Sequence, residues 1–75
     1  MKKVTHEELE RILINELAKV EDCKGVRSIG FYKVIEPDLP NWTTNVFNFG
    51  DADKSLCLRA LPEIVRRLQG QYELK

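Results

Sequence analysis

The chain is short of most features that specialised proteins rely on. None of its apolar runs exceeds four residues, far below the roughly 20 needed to cross a bilayer, so no membrane partner is expected. The segment around Lys2 and Lys3 lacks the apolar core of an export signal, which leads to the expectation of a cytoplasmic protein. Cysteine is scarce as well. Cys23 and Cys57 are too few for a disulfide scaffold, and in a reducing compartment they are expected to be free thiols serving as small core residues. His6 is the one histidine, and without His-x-x-x-His or Cys-x-x-Cys spacing it has no partners for a metal site, so it reads as a solvated residue at a helix start. An excess of one charge is also missing. Lys plus Arg and Asp plus Glu both number 12, leaving no overall field to draw the chain to nucleic acid.

Catalytic signatures are absent too. There is no phosphate-binding glycine loop, no G-x-S-x-G and no H-E-x-x-H, and a cysteine nucleophile would have only His6 as its base. Four carboxylates, Glu36, Asp38, Asp51 and Asp53, are the one candidate set for a metal or acid–base cluster. Helix capping explains Asp51 and Asp53, and a proline turn explains Glu36 and Asp38. The expectation is a non-enzymatic protein with no catalytic residue, no metal and no cofactor.

What the chain does have is globular composition. Hydrophobic residues make up 43% and charged residues 32% of 75 positions, which gives one domain over residues 1–75 and too few residues for a second core. A domain this small buries only about 60% of its unfolded surface, so a stability on the order of 4 to 8 kcal/mol is expected.

Helical periodicity is clear at both ends. Leu9, Ile12, Leu13, Leu17 and Val20 recur at offsets of three and four and predict a helix over residues 5–22. Thr5 and Glu8 have the spacing of a capping box, and Gly25 is the expected stop. A second helix is predicted over 52–69, with Leu58, Leu61, Val65 and Leu68 as its stripe, Asp51 or Asp53 as the cap at its start and Gly70 at its end. Pro62 lies inside it and predicts either a kink near Leu58 or a break with a restart, because proline removes a donor and crowds the carbonyl four residues earlier.

Between the helices, residues 26–35 and 42–49 are rich in β-branched and aromatic types and predict an antiparallel hairpin. Glu36-Pro37-Asp38-Leu39-Pro40-Asn41 must form its connection, since two prolines withhold ladder donors. Ile29, Phe31 and Ile35 are expected on one face of the first strand, with Tyr32 and Val34 on the other and Gly30 marking a bulge. In the second strand Phe47 and Phe49 are expected to face the helices, opposite Trp42, Thr44 and Val46. The fold class is therefore α+β in the order α-β-β-α, an antiparallel hairpin covered by two helices. Residues 71–75 read either as a short third strand or as a frayed tail. A bare hairpin is marginal, so either that third strand or a symmetric homodimer is expected to complete the sheet.

Two surfaces are candidates for function. The first is the loop and its flanks, with Tyr32, Pro37, Asp38, Asn41 and Trp42 facing a protein partner or a second copy. Trp42 is an interface anchor if exposed and a cover over the hairpin mouth if buried, with Asn41 fixing the turn. The second is a nucleic-acid interface formed by Lys54, Arg59, Arg66 and Arg67, which Glu63 and the zero net charge argue against.

The run from Cys23 to Val26, Ile35-Glu36-Pro37-Asp38 leading into Asn41-Trp42, Ile64-Val65 and Tyr72 together resemble a group of short bacterial proteins of unknown function. The resemblance spans most of the chain and implies the same helix-hairpin-helix order with no assigned activity. Those proteins usually lack a proline where this chain has Pro62, so the second helix is where it departs. The expected role is thus a small interaction module, self-associating through the hairpin.

Overall fold

The computed structural model describes the backbone of residues 1–75 and every side chain except those of Asn45, Val46 and Phe47. The fold is mixed α+β. Strand β1 (Lys2–Val4) leads into helix α1 (His6–Ala18), a 3₁₀ turn (Glu21–Cys23), strands β2 (Ser28–Lys33) and β3 (Trp42–Asn48), helix α2 (Lys54–Gln69) and strand β4 (Tyr72–Leu74). β2 and β3 form the expected antiparallel hairpin. The carboxyl-terminal segment is indeed a strand, but it does not extend that hairpin. β4 pairs in parallel with β1, which the sequence reading missed because three residues are too few to show alternation.

α1 begins where the capping box placed it. The Thr5 hydroxyl accepts from the Glu8 amide at 3.1 Å and the Glu8 carboxylate accepts from the Thr5 amide at 2.9 Å, so two amides left over at the helix start are both satisfied. Leu9, Leu13 and Leu17 are fully buried, while Ile12 and Val20 pack at the margin of the core. The helix stops at Ala18, earlier than expected, with Lys19 as its cap. Gly25 has the anticipated positive φ, +97°, but it follows the 3₁₀ turn and not α1.

α2 runs as one helix through Pro62, so the anticipated restart does not occur. Pro62 is exposed and Leu58, whose carbonyl loses its partner, is 44% exposed, so water can replace the missing amide. This also corrects the predicted stripe. Leu58 lies about 75° round the helix from the centre of the buried line of Cys57, Leu61, Ile64, Val65 and Leu68, at its edge beside Val65, and Cys57 occupies the core position instead.

The hairpin carries its bulge at Gly30. Gly30 pairs with Val46 but Phe31 pairs with Thr44, so one residue of β3 is skipped. A one-residue skip reverses the alternation of faces. Trp42 therefore joins Ile29 and Phe31 on the covered face, where uninterrupted alternation would have turned it away. Phe49 packs partly buried against the core as expected, and the Phe47 side chain lies outside the described residues. Ile35, expected beside Ile29 and Phe31, is 95% exposed because β2 ends at Lys33 and the chain has left the sheet.

Candidate interaction surface

The loop between β2 and β3 projects from a base pinned by polar side chains. Lys33 pairs with Trp42 as the last rung of the hairpin, and the Val34 amide donates to the Asn41 carbonyl at 2.9 Å. Asn41 then acts as a substitute strand. Its Nδ2 donates to the Leu74 carbonyl at 2.8 Å and its Oδ1 accepts from the Leu74 amide at 3.0 Å, so one side-chain amide pairs the outer edge of β4 as a peptide unit would. Trp42 Nε1 donates to the Tyr72 carbonyl at 3.0 Å, and Gln69 Nε2 donates to the Trp42 carbonyl at 2.9 Å. These four bonds join β3, α2 and β4, and they leave no buried side-chain nitrogen or oxygen unpaired among the described residues.

Trp42 is wholly buried, which settles its two alternatives in favour of the cover. Its ring meets Phe31 edge-on with centroids 6.1 Å apart, a favoured aromatic geometry. It is therefore removed from the candidate contact residues. Its burial follows from the bulge, a pairing feature that alternation counted along one strand could not show. Pro37, Asp38 and Tyr32 are exposed and Asn41 is half-buried, its amide already committed to β4.

Apolar exposure is concentrated here. Ile35 at 95%, Leu39 at 57% and Tyr32 at 50% lie on the loop and its flank, and Met1 at 73% lies across the groove from them. The groove, about 550 Å³, runs between the loop and β4, with Pro37, Tyr72 and Glu73 among its lining. A neighbouring hollow of about 410 Å³ lies under Leu39 and Pro40 beside Tyr32. The sequence reading found Pro37, Asp38 and Tyr32 but missed Ile35 and Leu39. Their signal was available: Leu39 directly precedes Pro40 and Ile35 lies two residues before Pro37, prolines that end the ladder and deprive both of a sheet face to bury against.

The cations considered for nucleic acid do not converge. By helical periodicity Arg59 and Arg66 share the outer face of α2, Lys54 lies well round toward the core side, and Arg67 lies on the remaining flank. Arg67 reaches Glu16 of α1 at 3.5 Å, so that charge is already partnered. Glu63 stands between Arg59 and Arg66 on the outer face.

The carboxylates separate likewise. Asp53 caps α2, its Oδ1 accepting from the Leu56 amide at 3.1 Å, whereas Glu36 and Asp38 belong to the loop at the far end of β3, about 20 Å away for a strand of this length. Among the described residues no group of three or more His, Cys, Asp or Glu could hold a metal. His6 lies over Phe31 with ring centroids 4.5 Å apart. No helix among the described residues is long and apolar enough to cross a membrane.

The cysteines overturn an expectation outright. Cys23 and Cys57 are joined in a disulfide and there is no free thiol. Counting cysteines could not show that the 3₁₀ turn sets Cys23 against the buried line of α2, with the two Cα atoms 4.8 Å apart.

Compared with known protein families, curated proteins and solved structures, the chain matches none.

Proposed function

We propose that the chain is a small non-enzymatic interaction module that self-associates through the loop end of the hairpin. The observation that supports this most is the gathering there of four of the six large apolar side chains exposed among the described residues. The loop is an effective platform because its base is tied to β4 and α2 by Asn41, Trp42 and Gln69, so little order is lost when a surface docks on it.

Magnitudes decide what kind of association this is. Burying Ile35 and Leu39 from each of two copies yields roughly 6–12 kcal/mol before costs. Association itself costs about 4–15 kcal/mol. The balance describes a weak, concentration-dependent dimer. An isologous arrangement suits the patch, since apolar surface meets its own image without a complementary charge.

Light scattering across a wide concentration range tests the proposal. The apparent mass is expected to rise toward that of two chains, and Ile35→Lys is expected to hold the mass at one chain without lowering the melting temperature, because Ile35 is 95% exposed. A strict monomer at millimolar concentration would remove the proposal.

A further inference from the structure

The two ends of the hairpin are held by different kinds of bond. Residues 20–27 connect α1 to β2. Backbone donors in this stretch find acceptors close by: Val20 to Leu17 at 3.0 Å, Cys23 to Val20 at 3.0 Å, and Lys24 to Glu21 and Val26 to Cys23 each at 3.4 Å. The ion pair of Lys24 with Glu21 is equally local and solvent-exposed. Among the described residues the first backbone hydrogen bond from this stretch to the hairpin is that of the Arg27 amide to the Asn48 carbonyl, 2.8 Å. Among the described residues this stretch is attached to α2 by apolar packing of Val20, Cys23 and Val26 and by the covalent bond to Cys57.

We propose that the Cys23–Cys57 disulfide is a redox-dependent staple that controls the order of residues 20–27 and the start of α2, while the loop end stays fixed in both redox states. Formation is a two-electron oxidation. The two thiols release two protons and two electrons to a disulfide-bearing oxidant, which leaves as a dithiol, and an external dithiol or phosphine reverses the step. Both cysteines are 1% exposed, so an attacking thiolate cannot reach the sulfurs in the closed fold. Reduction therefore follows opening of the 3₁₀ turn and is slow in native protein. Because the bond closes a separation of 34 residues, its loss returns considerable freedom to the unfolded chain.

The device needs no other ligand and does not depend on self-association. Ile35, Leu39 and Tyr32 lie at the opposite end of β3, beyond four polar bonds that contain no sulfur. The oxidised chain is thus the form in which both ends are ordered.

The test uses the purified full chain with and without a phosphine reductant. Alkylation under denaturing conditions, read by intact mass, is expected to label neither cysteine before reduction and both after it. Reduction is expected to lower the melting temperature by ~10–20 °C. It is also expected to speed amide exchange at least tenfold across residues 20–27 while leaving the Leu74 amide protected. The double variant Cys23→Ala, Cys57→Ala should show the reduced pattern with or without reductant. Labelling of both thiols before reduction, unchanged exchange in residues 20–27 after it, or equal loss of protection at Leu74 would each overturn the proposal, and the wild-type comparison decides it even if the double variant does not fold.

Discussion

At one end of β3 a covalent bond and two close-packed glycine turns hold the molecule together, and at the other end a set of side-chain amides does so. The staple end joins Cys23 to Cys57 beside Gly25 and Gly50, both with positive φ. The loop end relies on Asn41, Trp42 and Gln69 reaching main-chain groups of β4 and β3. The difference teaches where the stabilisation resides. A cross-link acts mainly by restricting the unfolded chain, whereas a buried polar network acts in the native state by satisfying groups that would otherwise be stranded. The staple end is accordingly sensitive to redox conditions and the loop end to the shape and polarity of single side chains.

The sharpest way to break the loop end is Trp42→Ala. A fully buried indole is lost together with its bond to the Tyr72 carbonyl, and a cost of about 3–5 kcal/mol is expected, enough to unfold much of a domain this small. Denaturant titration checks it, and Trp42→Phe should recover a substantial part. At the staple end Gly50→Ala is expected to cost about 2–3 kcal/mol. Gly50 has φ +56°, and a Cβ there would run into the Gly25 carbonyl oxygen and stand 2.9 Å from Arg27 Cγ. Thermal melts with the disulfide intact and reduced would show whether the turn and the cross-link depend on each other.

A smaller effect, about 1–3 kcal/mol, is expected for Asn41→Asp. The carboxylate can still accept from the Leu74 amide but cannot donate to the Leu74 carbonyl, so exchange should quicken at Leu74 and not at Cys23. The smallest effect lies outside both ends and serves as their control. The Glu8 carboxyl is held below its ordinary range, chiefly by the Thr5 amide and then by the Thr5 hydroxyl. The unfolded chain therefore takes up a proton at Glu8 before the folded one does, so this stabilisation is complete above the ordinary glutamate range and is lost as pH falls through the lowered folded-state value. Glu8→Gln is expected to flatten the acid side of the stability profile slightly, measured by melts between neutral and acidic pH, without altering exchange at either end of β3.

Much of the fold was legible because the relevant signals are local. Thr5 and Glu8 specify a helix start within one turn, the leucines of α1 repeat on one face, and Pro37 and Pro40 forbid a ladder between the two extended segments. Gly30 pointed to the bulge, yet its consequence for Trp42 depended on which strand skipped the residue. Of the candidate contact residues, Tyr32, Pro37 and Asp38 are on the surface, Asn41 is occupied by β4, and Trp42 is inside. Lys54, Arg59, Arg66 and Arg67 seemed one group along the chain because sequence proximity hides their spread around a helix.

By itself the sequence determined the two helices, the hairpin with its proline-broken connection, and the buried face of the first helix with most of that of the second, since propensity, periodicity and capping act over a few residues. Tertiary structure alone decided the β1–β4 pairing, the pairing of Asn41 with the β4 edge, the burial of Trp42 and the bond between Cys23 and Cys57. Each of these joins residues some 30 or more positions apart. Such contacts depend on how the packed helices and hairpin bring distant segments together, and no local pattern encodes that distance.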